Sequence, residues 1–469
     1  MSSVLTQNPT PGVAPATDMT ASTGIGPEGR DEDCDPGISE LLAVRPHLSM
    51  QVAGGLLLED VPLHAIADEL GTPVWVTSAG TLRVRYRRLR AALDEAGLDA
   101  SVHYAVKAND HLAVLRVLSA EGAGADVVSG GELQRALAAG IAPGHIVFSG
   151  VGKSAGELRL ALESGIGQIN VESAEEVGML SALAGNMGLR ARIALRVNPD
   201  IDAGTHAKIT TGRADNKFGI PYGDIRTLYA HAASLPGLEP VGLAVHIGSQ
   251  IASPAPFRAA YERVADLVHG LRADGQIVSM VDCGGGLGIC YRNETEGSPR
   301  ALAGAIRATL GGLGVHLVIE PGRWLAAPAG VLLSTILLVK QRPAGHPPFV
   351  VLDSAMNDLL RPSLYESWHG LLPLSARLAV APLSAAHVVG PVCESGDTFS
   401  QHRLLPPFIA GDRVAILDTG AYGAVMSSTY NARPLAAQAL VDGSRWTTIR
   451  PRQEVAALWR DETVPSWIT

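Results

Sequence analysis

The sequence predicts a (β/α)₈ barrel followed by a C-terminal β domain, either a β-sandwich or a small β-barrel. From Val102 onward, short β-branched runs alternate with Ala-, Leu- and Arg-rich stretches of helical period, and eight such pairs can be counted. Beyond Pro328 the helical stretches give way to strands joined by Pro- and Gly-rich connections. An open doubly wound sheet would need a glycine fingerprint after its first strand, and none follows Val102. The closed barrel is therefore the predicted architecture.

Composition narrows the class of ligand. The 469 residues exceed what a single hydrophobic core usually supports, and an apolar fraction of 46% is enough for two cores. A net charge of −9 argues against nucleic acid, because such partners require Lys and Arg concentrated on one face. No apolar run reaches the roughly 18 residues of a membrane span. The four cysteines form no C-x-x-C pair and are expected to be reduced thiols, with no metal site. We therefore expect a cytoplasmic protein that binds small molecules.

The chain divides into four segments. Residues 1–43 are rich in Pro, Gly, Ser, Thr and acidic residues, which predicts a disordered tail without a secretory signal. Residues 44–78 precede the first barrel strand and are expected to pair with the β domain. Residues 79–327 form the predicted barrel, and residues 328–469 form the β domain. Barrel strands are expected near Val102, Ala125, His145, Gln168, Arg192, Gly242, Met280 and His316. Strands of the β domain are expected in GVLLSTILLVK, PFVVLDSA, AAHVVGPVC, RVAILDT, AAQALVDG and TTIRPR.

Two polar loops follow the last two predicted barrel strands, where barrels of this kind commonly hold a phosphate. The segment Gly284–Gly288 is rich in glycine, so its bare backbone lets N–H groups approach an anion, and Glu320–Arg323 follows the eighth strand. Taken alone, a glycine cluster is equally compatible with a tight turn. Its place in the barrel favours an anion site.

Lys107 ends the first barrel strand in HYAVKAND, behind apolar residues that would place it in a partly desolvated mouth. A desolvated lysine is expected to have a lowered pKa, as Schiff-base chemistry needs. An isolated lysine at a strand end is more commonly a solvated side chain. The ends of the sixth and eighth strands bring His246, Ser249 and Glu320 to the same rim. These polar neighbours favour a catalytic role for Lys107.

Glu320 indicates which cofactor such a site would hold. A carboxylate that faces the nitrogen of a pyridine ring keeps that nitrogen protonated, which makes pyridoxal phosphate (PLP) an electron sink for a carbanion. Decarboxylation needs such a sink. Helix capping is the structural alternative for Glu320, and His246 is either a residue that stacks on the ring or a core histidine.

The β domain contributes reactive side chains in two glycine-flanked turns. Cys393, Glu394 and Asp397 lie in CESGD, and Tyr422 lies in GAYGAVMSSTYNARP. Turns of this kind let side chains reach into a site. A free cysteine is usually core filler, but the acidic neighbours argue against burial of Cys393.

Several motifs in fixed order cover nearly the whole chain after the tail. They are YAVKAN, GADVVSGGEL, FSGVGK, NVES, RVNPDIDAGTHAKITTG, NKFGI, HIGSQI, GGGLGI, EPGR, MNDLLRPSLY, GPVCESGDTF and GAYGAVMSSTYNARP. Together they resemble the fold-type III PLP-dependent decarboxylases, and within that family the members that act on meso-diaminopimelate. The resemblance implies decarboxylation of meso-2,6-diaminopimelate to L-lysine and CO₂, the last step of lysine biosynthesis.

The resemblance also implies a role for each matched residue. Lys107 would carry PLP as a Schiff base, and Cys393 would protonate the carbanion left by CO₂. The other cofactor-binding residues implied are His246, Gly248, Ser249, Gly285, Gly286, Glu320, Pro321, Gly322, Arg323 and Tyr422. The substrate-binding residues implied are Arg323, Arg361, Tyr365, Glu394 and Tyr422. Family members are homodimers with shared sites, so Cys393 and Glu394 of one chain are expected to complete the Lys107 site of the other.

Three other functions are compatible with parts of the pattern. A relative could act on ornithine, arginine, carboxynorspermidine or a carrier-bound glutamate, although the RPSLY and CES motifs argue against these substrates. An alanine-racemase-like enzyme would favour an unprotonated pyridine nitrogen, which Glu320 opposes. A non-catalytic PLP-binding homologue would not need both Lys107 and Cys393.

Overall fold

The structure, a computed structural model, describes residues 35–202, 211–212 and 216–468. Most of the predicted N-terminal tail lies outside these ranges, together with Cys34 and part of the RVNPDIDAGTHAKITTG motif. The tail is predicted to extend to residue 43, but Ile38–Ala43 forms a short helix, α1, whose Leu41 is buried. Regular structure therefore begins before residue 44.

The segment that follows α1 contributes to two different sheets. It contains β1 (Leu48–Gln51), β2 (Gly55–Leu58), β3 (Val61–Pro62), α2 (Leu63–Leu70) and β4 (Val74–Ser78). The first three strands form a small antiparallel sheet of their own, whereas β4 joins the large sheet of the C-terminal domain. A hydrogen bond of 2.9 Å from Leu56 N to Leu374 O also links β2 to that domain.

All eight predicted barrel strands are present, and the barrel closes. They are β5 (Ala100–Ala105), β6 (Gly124–Val127), β7 (Ile146–Phe148), β8 (Gln168–Val171), β9 (Ala191–Asn198), β11 (Leu238–Val245), β12 (Met280–Asp282) and β13 (His316–Ile319), with a two-residue strand β10 (Ile220–Pro221) paired to β9. The strands are parallel in the order β9-β11-β12-β13-β5-β6-β7-β8, and β8 pairs again with β9. The predicted fold class is confirmed.

Helices surround the barrel. They are α3 (Ala79–Glu95), α4 (Leu112–Ala120), α5 (Gly130–Ala138), α6 (Ala155–Ser164), α7 (Ala174–Asn186), α8 (Ile225–Ser234), α9 (Pro254–Ala273), α10 (Pro299–Thr309) and α11 (Arg323–Ala326). The side chains of Ser129, Ser154 and Ser173 each accept a backbone N–H at the start of a helix, so the polar loop after a strand also begins the next helix. Within the described ranges, no helix is long and apolar enough to cross a membrane.

Side chains of the barrel strands alternate between the helix layer and the barrel interior. In β5, Val102 and Tyr104 pack in the core shared with the helices. The residues that alternate with them along the strand, such as His103, therefore face the barrel interior. Interiors of such barrels are usually filled by branched apolar residues. Here Asp126, Asn170 and Asp282 are buried there, and they provide a polar base for the rim where the strands end.

The C-terminal domain is built on one large sheet. Its elements are β14 (Gly330–Lys340), β15 (Phe349–Leu352), α12 (Arg361–Tyr365), β16 (Leu371–Pro373), α13 (Ala376–Ala379), β17 (Ser384–Val389), β18 (Thr398–Leu405), β19 (Arg413–Ile416), β20 (Ala437–Asp442) and β21 (Arg445–Arg450). The strand order is β18-β17-β15-β14-β4-β20-β21, and β19 pairs with β14 and β16. Two separate apolar clusters pack against β4 and β14, with Val74 in one and Trp75 in the other. Both faces of these two strands are thus covered, which explains their continuous apolar runs.

Arg45 joins the N-terminal segment to the rest of the chain through a buried ion pair. Its guanidinium contacts the carboxylate of Asp418, and both side chains are 2% exposed. The guanidinium also donates hydrogen bonds to the carbonyl oxygens of Leu41, at 2.8 Å, and Tyr291, at 2.9 Å. We expect Arg45→Met to lower the free energy of unfolding by about 3–5 kcal/mol, because Asp418 would remain as an uncompensated buried charge. Urea denaturation should show a smaller loss for Arg45→Met combined with Asp418→Asn, and equal losses would contradict this explanation.

Candidate active site

Lys107 lies at the rim of the barrel, in the helical turn Val106–Ala108 that follows β5. Its Nζ is 3.3 Å from Oδ2 of Asp126, on the neighbouring strand β6. Burial lowers the pKa of Lys107, but the electrostatic effects of Asp126, Tyr422 and Glu320 outweigh it, so the pKa lies above the ordinary lysine value. The predicted lowering is therefore wrong, because the sequence pattern did not reveal the carboxylate beside the amine. The same carboxylate lies within reach of the proton that Lys107 must lose before it can act as a nucleophile.

A cavity of about 460 Å³ opens at the carboxyl ends of the strands. Its lining includes Lys107, Asn170, Arg196, His246, Asp282 and Glu320. This volume is typical of sites for small molecules and cofactors. Three of the predicted cofactor residues thus face one common space.

Glu320 follows β13 and belongs to a group of buried carboxyl groups at the base of this cavity. Asp282 hydrogen-bonds to it, and Asp126 acts on both electrostatically. Burial, followed by the charges of Asp126 and Asp282, raises the pKa of Glu320 well above its ordinary value. Oε1 of Glu320 is buried and has no hydrogen-bond partner in the described part of the chain. A cationic N–H donor above Oε1 would satisfy this atom.

The predicted glycine turns pack backbone against backbone at the rim. A Cβ on Gly285 would stand 2.0 Å from the carbonyl oxygen of Glu320, and one on Gly286 would stand 2.4 Å from that of Gly248. Gly286 also has a φ of 114°, in the region that favours glycine. The Pro321 carbonyl accepts a hydrogen bond of 3.2 Å from Ala105 N. These close approaches bring several backbone segments to the place where a phosphate is expected.

The structure gives His246 and Ser249 different roles. Nδ1 of His246 accepts the backbone N–H of Gly285 at 3.1 Å, which leaves its proton on Nε2. Burial, with the charges of Arg196 and Lys107, lowers the pKa of His246 well below its ordinary value, so the ring that lines the cavity is neutral. The Ser249 hydroxyl lies toward the predicted substrate end, where it accepts hydrogen bonds of 3.2 and 3.1 Å from Arg323 Nε and Nη2.

A second cavity, of about 170 Å³, contains Arg323, Arg361 and Tyr365. The two arginines are only 6% and 4% exposed. Arg323 also donates to the Tyr291 hydroxyl at 2.9 Å, and its guanidinium lies 4.9 Å from the centre of the Tyr422 ring. Among the described residues, these two guanidiniums donate hydrogen bonds only to neutral groups: Ser249, Tyr291, Ser367 and His369. The arrangement suits an incoming carboxylate.

Cys393 and Glu394 are exposed and line neither of these cavities in the described part of the chain. Their turn is held by buried Asp397, whose carboxylate accepts N–H groups from Val392 at 2.8 Å and Met356 at 2.7 Å. The structure therefore brings three predicted residues into each cavity: Lys107, His246 and Glu320 into the larger, and Arg323, Arg361 and Tyr365 into the smaller. The turn that contains Cys393 and Glu394 lies apart from both.

Several residues that line the two cavities were not singled out in the sequence: Asn170, Arg196, Asp282, Tyr291 and Glu294. Asp126 and His369, which contact the lining residues Lys107 and Arg361, were also missed. A signal existed for Asp126 and Asp282, because each is a single carboxylate between apolar residues at an inward position of a predicted strand. No comparable pattern marks Tyr291 or Glu294, which lie in the loop between β12 and α10.

The residues present fit a bound PLP. Lys107 supplies an amine in the larger cavity, and the orphaned Oε1 of Glu320 lacks the N–H partner that a protonated pyridine ring would offer. The glycine turns leave the backbone bare of side chains, so that a phosphate could approach it closely. A match of residues 79–327 to the family model for the pyridoxal binding domain of pyridoxal-dependent decarboxylases agrees with this geometry. Fold and site thus define a PLP-dependent decarboxylase, and the predicted cofactor is confirmed.

Similar sequences and structures show to which group of PLP-dependent decarboxylases the chain belongs. The diaminopimelate decarboxylase of Zymomonas mobilis is 47% identical over 418 residues, which cover 88% of this chain and 98% of that protein. That of Vibrio cholerae is 42% identical and covers 89% and 99%. The crystal structure of diaminopimelate decarboxylase from Helicobacter pylori complexed with L-lysine has a TM-score of 0.81 at 38% identity, covering 85% of this chain and 98% of that one. A crystal structure of diaminopimelate decarboxylase from M. jannaschii has a TM-score of 0.84 at 34% identity, covering 90% of this chain and 99% of that one. The chain belongs to the diaminopimelate decarboxylase family, as its motifs predict.

Proposed function

We propose that the protein decarboxylates meso-2,6-diaminopimelate to L-lysine and CO₂. Besides family membership, one observation carries the proposal: Arg323 and Arg361 are buried together, and within the described ranges they donate hydrogen bonds only to neutral groups. A substrate with a second amino-acid end offers this pair a carboxylate. Ornithine ends in an amine, which the two positive charges would repel.

The larger cavity would hold the cofactor. Bound PLP supplies an electron sink for the electron pair left when CO₂ departs. Lys107 would hold it covalently through Nζ, with Asp126 close enough to take up the amine proton. Glu320 would accept the ring N–H at Oε1, and His246 would face the ring as a neutral imidazole. The loops that contain Gly248, Ser249, Gly285, Gly286, Pro321 and Gly322 would surround the phosphate.

The smaller cavity would bind the distal end of the substrate. Arg323 and Arg361 would bind its carboxylate, while Tyr365 and Tyr422 would close the sides. Glu394 would pair with the distal ammonium. Glu294 lines the same cavity and is a second carboxylate available for this ammonium.

We further propose a homodimer with shared sites. Cys393 is exposed and lines neither cavity, so to donate a proton to the substrate its turn must enter the site of another chain or move into the site of its own chain, and its exposed position supports the first. The same argument applies to Glu394.

A cytoplasmic location is also proposed, and the free state of Cys283, Cys290 and Cys393 supports it, because a reducing compartment keeps thiols unpaired.

Substrate preference tests the proposed reaction. Purified PLP-loaded protein should release L-lysine and CO₂ from meso-diaminopimelate with a kcat/KM at least roughly 30-fold above that for ornithine, arginine or carboxynorspermidine, because an unpaired buried charge costs about 2–5 kcal/mol. Preference for another substrate would retain the chemistry and refute the role of the two arginines. No turnover of any substrate would favour a non-catalytic homologue.

A further inference from the structure

His369 lies behind the smaller cavity, four residues after α12 ends, and is 4% exposed. Its ring stands between Arg361 and the backbone at Leu417. It also packs edge-on against the Tyr291 ring, with centroids 5.3 Å apart and an interplanar angle of 79°. His369 is therefore held on three sides by groups that belong to the substrate end of the site or to its wall.

The hydrogen bonds of His369 define its tautomer. Nδ1 is 2.8 Å from the carbonyl oxygen of Leu417, which can only accept, so Nδ1 carries the proton. Nε2 is 3.3 Å from Nε of Arg361, which can only donate, so Nε2 presents its lone pair. Burial, followed by the charge of Arg361, lowers the pKa of His369 well below its ordinary value, in agreement with a neutral ring.

These contacts fix the plane of the Arg361 guanidinium. Nε is held by His369, Nη2 donates to the Ser367 hydroxyl at 3.1 Å, and the guanidinium carbon lies 5.1 Å from the centre of the Tyr291 ring. With Nε and one N–H of Nη2 engaged on the protein side, the remaining N–H groups are available to the cavity. A planar fork that is oriented in advance loses less conformational freedom when it binds a carboxylate.

We propose that His369 is a positioning residue for substrate recognition: its neutral Nε2 orients Arg361 so that the free N–H groups meet the distal carboxylate of the substrate. The inference rests on the proposed function, because it takes Arg361 as the carboxylate-binding group. It adds a residue that lines neither cavity and acts through its hydrogen bond to Arg361.

Two substitutions separate the two hydrogen bonds of His369. The side chain of His369→Gln can place an oxygen near the position of Nε2 and accept from Arg361. The shorter side chain of His369→Asn can place its amide N–H near the position of Nδ1 and donate to Leu417, but it offers no acceptor to Arg361. We expect the Asn variant to raise KM for meso-diaminopimelate roughly 10- to 100-fold, as loss of a hydrogen bond to a charged group would. Its kcat should stay within about twofold, because distal binding is shared by ground and transition states. The Gln variant should stay close to the wild-type KM.

Steady-state kinetics of the PLP-loaded protein measures KM and kcat of the two His369 variants. The control is His387→Gln, at a similarly buried histidine outside both cavities. Equal KM values for the Asn and Gln variants, or a fall in kcat with unchanged KM, would overturn the positioning role. Loss of folding in both variants would assign His369 to stability alone and would also overturn it. Failure of wild-type protein to prefer meso-diaminopimelate would be seen before any variant is made, and it would refute the proposed function separately.

Discussion

The Lys107→Ala variant is expected to lose the visible absorbance of lysine-bound PLP together with decarboxylase activity. Lys107 supplies the amine in the larger cavity at which the cofactor would be covalently attached. The substitution also removes the partner of Asp126, whose carboxylate lies 3.3 Å from the amine. We expect kcat/KM to fall by at least about 10⁴-fold, the upper end of what one positioned acid–base group contributes, because covalent attachment is lost as well. Absorbance spectra and lysine release, measured on the same preparation, check both parts.

Lys340→Ala provides the matched control, because this lysine lies at the exposed end of β14, far along the chain from the rim. It should keep both the spectrum and the activity. A Lys107→Ala protein with an unchanged visible spectrum would refute covalent attachment at this position. A protein that lost the spectrum but kept its rate would show that binding through Glu320 and the glycine turns is sufficient.

The sequence was informative wherever function depends on one strand and the loop that follows it. Short β-branched runs between stretches of helical period predicted all eight barrel strands, and the place of Lys107, Glu320 and the glycine segment at strand ends followed directly. Two strands of the C-terminal domain, β16 and β18, were missed. Leu371–Pro373 has only three residues, and β18 carries a polar stretch in its middle, so neither has the apolar run that predicts a strand.

What the sequence did not reveal depends on contacts between distant segments. The raised pKa of Lys107 requires Asp126 to stand opposite it, which only the parallel register of β5 and β6 determines. In the same way, His369 meets Tyr291 across 78 positions of sequence, and neither lies on a barrel strand. Local pattern gives the direction of a side chain, but the identity of its neighbour follows from how the strands and domains pack.

The second large effect concerns Cys393. If this thiol is the proton donor, Cys393→Ala should lower kcat about 10²- to 10⁴-fold with little change in KM, because a group that acts only in the transition state does not contribute to substrate binding. Cys290→Ala is the control, since Cys290 is half-buried and its thiol lines neither cavity. A large rise in KM with unchanged kcat would identify Cys393 as a binding residue.

Because Cys393 is exposed, mixing the Lys107→Ala and Cys393→Ala proteins tests whether two chains share each site. Lys107→Ala and Cys393→Ala proteins are each expected to have at most about 1% of wild-type activity. In a mixed dimer, one site would combine an intact Lys107 with the partner's intact Cys393, while the other site would carry both defects. Equal mixing with free exchange makes half of the dimers mixed, so roughly a quarter of wild-type activity should return if a twofold dimer shares its sites. Subunit exchange can be promoted by mild denaturation and confirmed with two differently tagged chains. If tagged mixed dimers form and activity stays at the level of the separate variants, each site must be completed within a single chain, and the exposed CESGD turn would then have to move into its own cavity.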